Sequence, residues 1–104
     1  MLTLCIRYSI NPNKMADFKA YVAAELRPIR QSGGDTIGYF LPTDFAGPTN
    51  EAFGLVRFPT LAAYEEYRQK LKNDLEHQKN VARLEQSGSV LALHRSILQQ
   101  VGEK

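Results

Sequence analysis

Apolar residues recur with two different periods along this chain, and the order of those periods constrains its fold most strongly. From Leu2 to Ile10 every second residue is apolar, which is the period of a β-strand. From Met15 to Ile29 apolar residues recur at steps of three and four, which is the period of an amphipathic helix. Asn11, Pro12 and Asn13 separate the two patterns, and Asn13 suits a helix N-cap or a left-handed turn position. The chain is therefore predicted to open with a strand and then a helix.

The first predicted helix has one apolar stripe, whose members are Met15, Phe18, Val22, Leu26 and Ile29. Glu25 is placed off this stripe, together with other charged residues of the helix. Pro28 is expected to kink or end the helix near its last turn, and the Gly33-Gly34 pair to stop it.

The same two periods continue through the rest of the chain. Strands are predicted at about 35–41, 51–58 and 90–98, and the loop PTDFAGPTN separates the first two. A helix follows a cap at Pro59-Thr60, and its stripe consists of Leu61, Tyr64, Tyr67, Leu71 and Leu75. A further short helix is capped at Asn73-Asp74 and continues to about residue 85, and the tail 99–104 is expected to fray.

This order of elements predicts an α+β fold. Strand, helix, strand, strand, helix and strand in succession give the ferredoxin-like βαββαβ arrangement, built on a four-stranded antiparallel sheet. Right-handed crossovers place the helices on one face of that sheet. A chain of 104 residues has room for one core, so residues 1–104 are predicted to form a single domain.

The predicted strands are apolar on both faces, although the helices cover only one. Tyr39 and Phe40 fall on opposite faces of one strand, as do Leu55 and Val56 on another. An uncovered sheet of this kind would expose about several hundred Å² of contiguous apolar surface, which soluble monomers rarely do. We therefore expect a homodimer in which two sheets face each other as a dimeric α/β barrel.

Composition argues against several classes of protein. No run approaches the roughly 18 apolar residues of a membrane span, and the first residues lack a basic region and a cleavage site. We therefore expect a cytoplasmic protein with no membrane contact. The single cysteine, Cys5, has no zinc-like spacing to His77 or His94. No acid/base pair, phosphate loop, dinucleotide fingerprint or nucleophile elbow is recognisable, so no metal or cofactor is expected.

Two stretches of the chain resemble a known family. The run NEAFGLVRFPTLAAYEEYRQKLKNDLEHQ, from Asn50 onward, is similar to the pattern of NIPSNAP proteins in its hydrophobic strand, its Thr-Leu helix start and its short acidic helix start. The first strand and its turn resemble the family's Tyr-x-Leu-x-Pro-Gly-Lys-Met motif through Tyr8, Ile10, Pro12, Lys14 and Met15. The resemblance implies the dimeric α/β-barrel superfamily, which includes cofactor-independent monooxygenases and lactone isomerases. It also implies a ligand pocket between sheet and helices.

The chain departs from this family at four strand positions. The family's usual Glu and Arg on the first strand correspond here to Leu4 and Ile6, and its usual His and Trp on the third strand correspond to Gly54 and Val56. These changes remove polar groups. The small residues Ala52 and Gly54 are expected to open room for a ligand on the helix side of the sheet.

Five further side chains are candidates for a site. Tyr8, Tyr39 and Tyr64 could hydrogen-bond a ligand oxygen, although buried tyrosines are also ordinary core residues. Arg68 matches an arginine of the family pattern and could hold a carboxylate or enolate, with an exposed helix charge as the simpler interpretation. His94 is the only histidine on a predicted strand and is a weak candidate for a general base, since a structural histidine is the commoner case.

Other polar residues have simpler interpretations. Arg7 and Arg57 share the face of the sheet that the helices leave uncovered, which we call the open face. We expect both side chains to reach solvent or acidic groups of a partner rather than to bind an anion. Cys5 is expected to act as a small apolar residue, and His77 to be solvated on a polar helix.

RNA binding is an alternative that the residues disfavour. The segment EAFGLVRF partly fits the signature of an RNA-recognition motif, but Glu51, Leu55 and Thr3 replace its basic residue and two stacking aromatics. Nucleic acid is therefore not an expected partner. The sequence predicts a homodimer that binds a small, largely apolar molecule, either as an enzyme resembling the barrel oxygenases and isomerases or as a non-catalytic interaction dimer.

Overall fold

In the part of the chain that the structure describes, four strands form one antiparallel sheet. The strands and three α-helices succeed one another along the chain in the expected order. The structure is a computed structural model and describes residues 1–102, so the last two residues of the predicted tail lie outside it. The elements are β1 (Leu2–Ile10), α1 (Met15–Gln31), β2 (Asp35–Phe40), β3 (Glu51–Phe58), α2 (Leu61–Lys72), α3 (Leu75–Ser87) and β4 (Val90–Gln99). The strand order β2-β3-β1-β4 confirms the predicted α+β, ferredoxin-like fold.

The two predicted caps of the later helices are confirmed. Thr60 caps α2, since its hydroxyl oxygen accepts a hydrogen bond from the Ala63 N–H at 3.1 Å. Asp74 caps α3, since its carboxylate accepts a hydrogen bond from the His77 N–H at 2.9 Å. Gly88 has φ of 68° and ends α3 in the left-handed conformation that glycine adopts without strain.

The turn before α1 differs from the prediction. Asn11, rather than Asn13, supplies the capping side chain, which accepts a hydrogen bond from the Asn13 N–H at 3.0 Å. It caps a short 3-10 turn, Pro12–Lys14, and α1 begins directly after that turn. Pro28 lies in the last turn of α1, which ends three residues later, as expected.

The core lies between the sheet and the helices. Its buried strand residues are Leu4, Ile6, Tyr8 and Ile10 from β1 with Ala52, Val56 and Phe58 from β3. They pack with Phe18, Val22 and Ile29 from α1 and with Tyr67 and Leu71 from α2. The alternation predicted for β1 is therefore confirmed, with its apolar face turned toward the helices.

Two β-bulges change which residues share a face of the sheet. Ile37 has no partner in the ladder between β2 and β3, and Leu91 has none in the ladder between β1 and β4. A bulge adds one residue to a strand and reverses the alternation beyond it. Val90 therefore pairs with Ile10 and shares the helix side with Leu93, which strict alternation along β4 would place on the opposite face.

The open face of the sheet, which the helices do not cover, carries both apolar and charged side chains. Phe40 and Leu98 are each 49% exposed on it, and Phe53 is 36% exposed. Asp35 and Arg57 form an ion pair there, with 2.9 Å between carboxylate and guanidinium. Among the described residues, no helix combines the length and apolar character required to cross a membrane.

Candidate functional site

A cavity of about 820 Å³ lies between the sheet and the helices. Its sheet wall includes Leu4, Ile6, Tyr8, Tyr39, Val90, Leu93 and Arg95, and its helix wall includes Tyr21, Glu25, Tyr67, Arg68, Leu71, His77 and Leu84. Small-molecule sites in proteins have volumes of roughly 300–1,000 Å³ and combine apolar walls with a few polar groups. The cavity matches that description in size and in lining.

Four tyrosines concentrate hydroxyl groups in the wall of this cavity: Tyr8, Tyr21, Tyr39 and Tyr67. The hydroxyl oxygens of Tyr8 and Tyr39 are 3.4 Å apart. Burial raises the pKa of all four phenols well above the usual value of about 10. The negative charge of Glu25 raises the pKa of Tyr21 and Tyr67 further. These phenols are therefore neutral at physiological pH, and each has an O–H that can donate a hydrogen bond.

Gly54 determines where the ring of Tyr39 lies. The two residues are paired across β2 and β3, and a Cβ at position 54 would stand 2.6 Å from Cε2 of Tyr39. The space left by the missing side chain is thus filled by the tyrosine ring, and Gly54 itself does not line the cavity. Gly54 contributes by leaving room for the ring of Tyr39, which does line the cavity.

A buried carboxylate forms the polar centre of the site. The side chain of Glu25 on α1 is 2% exposed, and its Oε2 pairs with Nδ1 of His77 on α3. Its Oε1 accepts a hydrogen bond from Nδ2 of Asn80 at 3.0 Å. Both carboxylate oxygens therefore have partners on α3, as a buried charge requires. The interpretation of His77 as a solvated residue is wrong, because its ring is held against Glu25 and is 21% exposed.

The placement of Glu25 off the apolar stripe of α1 is also wrong. Phe18, Val22, Glu25 and Ile29 follow one another at steps of four, three and four, and all four are buried. On α3, His77 and Asn80 are three residues apart and therefore lie on one face of the helix. A charged residue at a stripe position was the signal that could have identified this site.

Two arginines contribute positive charge to the cavity wall. Arg68 is exposed on α2, in line with its simpler interpretation, and it also lines the cavity. Arg95 lines the cavity from the helix side of β4, opposite Ile6. The charge of Arg95 acts to lower the pKa of Tyr8 and Tyr67, against the larger effect of burial, so its field reaches the tyrosine hydroxyls. Separately from the cavity wall, Arg27 of α1 and Glu76 of α3 form an ion pair at the protein surface.

The structure brings together only some of the residues proposed from sequence. Tyr8, Tyr39 and Arg68 line the cavity. Tyr64 packs outside it, with its ring centroid 5.3 Å from that of Phe58. His94 pairs with Arg7 across β1 and β4 and lies on the open face of the sheet, away from the cavity. The sequence interpretation missed Tyr21, Glu25, Tyr67, His77, Asn80 and Arg95 as members or supports of the site.

Within residues 1–102, no group of three or more His, Cys, Asp or Glu side chains is arranged to hold a metal ion. The polar groups at the cavity are instead a carboxylate, an imidazole, phenols and guanidinium groups. In proteins generally, groups of these types can form hydrogen bonds and ion pairs with organic ligands and can transfer protons.

Solved structures of low sequence identity share this fold. A protein from Agrobacterium tumefaciens matches with a TM-score of 0.85 at 17% identity, covering 98% of this chain and 95% of the other. A NIPSNAP family protein from the same organism matches with a TM-score of 0.81 at 25% identity, covering 98% and 95%. A Nitrosomonas europaea protein, provisionally named an antibiotic biosynthesis monooxygenase, matches with a TM-score of 0.72 at 9% identity, covering 97% and 99%.

The sequence comparison agrees with the expected resemblance. No curated protein sequence matches this chain at a significant level. The sequence profile of the NIPSNAP family, however, matches residues 3–102, which is nearly the whole chain. The chain therefore belongs to the NIPSNAP family.

Proposed function

We propose that this protein binds a small, largely apolar organic molecule in the cavity between its sheet and its helices. The observation that carries the proposal is the cavity of about 820 Å³, lined by Tyr8, Tyr39 and Tyr67 and containing the buried Glu25 and His77 pair in its wall. Burying a carboxylate is unfavourable unless partners stabilise it. A carboxylate paired with an imidazole in the wall of an open cavity, rather than in a filled core, is a common feature of ligand sites.

The chemistry of the cavity favours an enzyme over a passive binding protein. Neutral phenols and nearby arginines can stabilise an organic anion, and an imidazole can accept a proton. These are the groups that a cofactor-independent isomerase or monooxygenase would use. The distant structural similarity to a protein provisionally named an antibiotic biosynthesis monooxygenase is compatible with this class but establishes only the fold.

Binding can be tested with 2-naphthol, an aromatic alcohol small enough for the cavity, by isothermal titration calorimetry. Ala82 is exposed on α3 and lines the cavity, so Ala82→Trp should obstruct it and abolish the binding seen with the wild type. Ala23 is exposed on α1 and is not part of the lining, so Ala23→Trp serves as the matched control. Failure of the wild type to bind, or equal binding by both variants, would contradict a ligand site in this cavity.

We further propose that two copies associate through the open faces of their sheets. The observation in favour is that Phe40, Phe53 and Leu98 are all at least 36% exposed on that face. Association would bury these side chains and leave the cavity of each copy on the helix side. It would also cover the aromatic residues that a nucleic acid would need for stacking. The alternative function, a non-catalytic interaction dimer, rests on the same surface.

Sedimentation velocity tests this association. Phe53→Glu places a charge on the open face and should convert a dimer to a monomer. Leu75→Glu alters a side chain that is 72% exposed on α3, in the helix layer, and should leave the dimer intact. A wild-type protein that sediments as a monomer at micromolar concentration would refute the proposal.

A further inference from the structure

The Glu25 and His77 pair differs from an ordinary buried ion pair in how its two members are exposed. The carboxylate is 2% exposed and has both oxygens engaged, whereas the imidazole is 21% exposed and forms part of the cavity wall. We propose that His77 is a general base that removes a proton from carbon next to a carbonyl group, in a ligand that also carries an aromatic ring and is bound in the cavity. Glu25 is the positioning residue of His77. The inference deepens the proposed function and rests on it, since it requires a ligand in the cavity.

The hydrogen bonds of the pair leave one nitrogen of His77 available. Nδ1 of His77 lies against Oε2 of Glu25. Because a carboxylate oxygen accepts hydrogen bonds, this contact favours the neutral tautomer that carries its proton on Nδ1 and its lone pair on Nε2. Asn80 holds the other carboxylate oxygen at 3.0 Å and prevents the carboxylate from rotating away. A buried carboxylate that orients an imidazole is the arrangement by which many enzymes prepare a histidine to accept a proton.

The N-terminus of α3 helps to place this imidazole. Asp74 accepts a hydrogen bond from the His77 N–H at 2.9 Å, so His77 lies in the capped first turn of the helix. At the surface beside it, Arg27 of α1 pairs with Glu76. The histidine is therefore held both through its ring and through its backbone, which favours a defined geometry for proton transfer.

Other residues of the cavity suit the anion that proton removal creates. Loss of a proton from carbon next to a carbonyl group places negative charge on the carbonyl oxygen. The hydroxyls of Tyr8 and Tyr39 hydrogen-bond to each other, so the one that accepts in this pair keeps its own O–H to donate to that oxygen. Arg95 adds positive charge to the same wall. The imidazolium formed on His77 is stabilised by the adjacent Glu25 carboxylate.

The proposed step balances without any co-reactant. The carbon–hydrogen bond breaks, its electron pair forms the carbon–carbon double bond of an enolate, and the proton binds Nε2 of His77. Return of the proton to carbon or to oxygen completes the cycle. The net result is tautomerisation of the ligand, or exchange of its hydrogen with solvent, with no change in oxidation state.

A suitable probe is 1-phenylbutane-1,3-dione, which combines an aromatic ring with an acidic methylene group between two carbonyls. Its exchange with deuterium oxide is followed by proton NMR, against the same buffer without protein. We expect the wild type to accelerate exchange and His77→Ala to reduce that acceleration by roughly 100-fold. Added imidazole should partly restore exchange in His77→Ala, which a role in folding alone would not produce.

The chain supplies its own comparison, because His77 lies on α3 at the cavity whereas His94 lies on the open face of the sheet. His94→Ala should exchange the probe as the wild type does. If His77→Ala is poorly folded, His77→Gln, which retains a donor toward Glu25, takes its place. Loss of exchange in His94→Ala but not in the His77 variants would overturn the inference.

Glu25→Gln tests the positioning role. We expect its exchange rate at saturation to fall by roughly tenfold or more, with little change in the affinity for 2,2-dimethyl-1-phenylbutane-1,3-dione, which has no exchangeable proton between its carbonyls. Binding of both diketones by the wild type without accelerated exchange would overturn the inference and leave the proposed binding function standing. Failure of the wild type to bind either diketone or 2-naphthol would overturn both.

Discussion

The ring of Tyr39 occupies the place where a side chain at Gly54 would stand. A Cβ there would lie 2.6 Å from Cε2 and 2.7 Å from Cζ of the ring, and the pairing of β2 with β3 holds the two residues opposite each other. The ring in turn brings its hydroxyl to 3.4 Å from that of Tyr8. A glycine in the middle of a strand is thus explained by close approach of an aromatic side chain.

Gly54→Ala should therefore destabilise the protein by about 1–3 kcal/mol, because the added methyl group overlaps the ring of Tyr39. The free energy of unfolding is measured by urea denaturation. In a Tyr39→Ala background the same change should have a much smaller effect, because the ring is gone. An equal loss of stability in both backgrounds would show that the contact is not the cause.

Asn80→Asp should destabilise the protein more than Asn80→Ala. Asn80→Ala removes a hydrogen bond to Glu25, and a buried acceptor left without its donor is unfavourable by about 1–3 kcal/mol. Asn80→Asp additionally places a second carboxylate against the first. Thermal or urea unfolding measures the stability of both variants. Adding Glu25→Gln to Asn80→Asp should restore most of the stability that the second carboxylate removes. If Asn80→Asp is as stable as the wild type, Glu25 is not held as described.

Alkaline pH should destabilise the folded protein. Because burial raises the pKa of Tyr8, Tyr21, Tyr39 and Tyr67 in the folded state, their stabilising contribution is complete below the unfolded pKa of about 10. Above that pH the unfolded chain loses phenolic protons that the folded protein keeps, so the free energy of unfolding falls.

This pH dependence has two readouts. The urea midpoint should fall between pH values of about 9 and 11, and less steeply in Tyr67→Phe, which has one titrating phenol fewer. The ultraviolet absorbance of tyrosinate should rise mainly as the chain unfolds. Ionisation of all five tyrosines near pH 10 in a protein that remains folded would contradict the expectation.

The two helix caps permit a matched comparison. Thr60→Ala and Asp74→Ala should each lower the free energy of unfolding by about 1 kcal/mol, since each removes one hydrogen bond to a helix N-terminus. Only Asp74 bonds to the backbone of His77, so only Asp74→Ala should weaken binding of 2-naphthol. Calorimetric titration of both variants with 2-naphthol checks this difference. Equal affinities would show that the cap at Asp74 does not influence ligand binding.

The sequence by itself determined the secondary structure and the fold class. The alternation from Leu2 to Ile10 and the caps at Thr60 and Asp74 depend on neighbours only a few residues away, so each can be recognised locally. Tyr8 and Tyr39 were candidates because they are tyrosines of predicted strands, and Arg68 because it matches an arginine of the family that the chain resembles; all three line the cavity.

Only the tertiary structure decided which polar residues meet. Glu25 and His77 are 52 positions apart, and their contact depends on how α1 packs against α3. Strict alternation from Val90 would put His94 on the helix side, but the bulge at Leu91 moves it to the open face. Both outcomes depend on a neighbouring strand or helix, and the local residue period does not include that information.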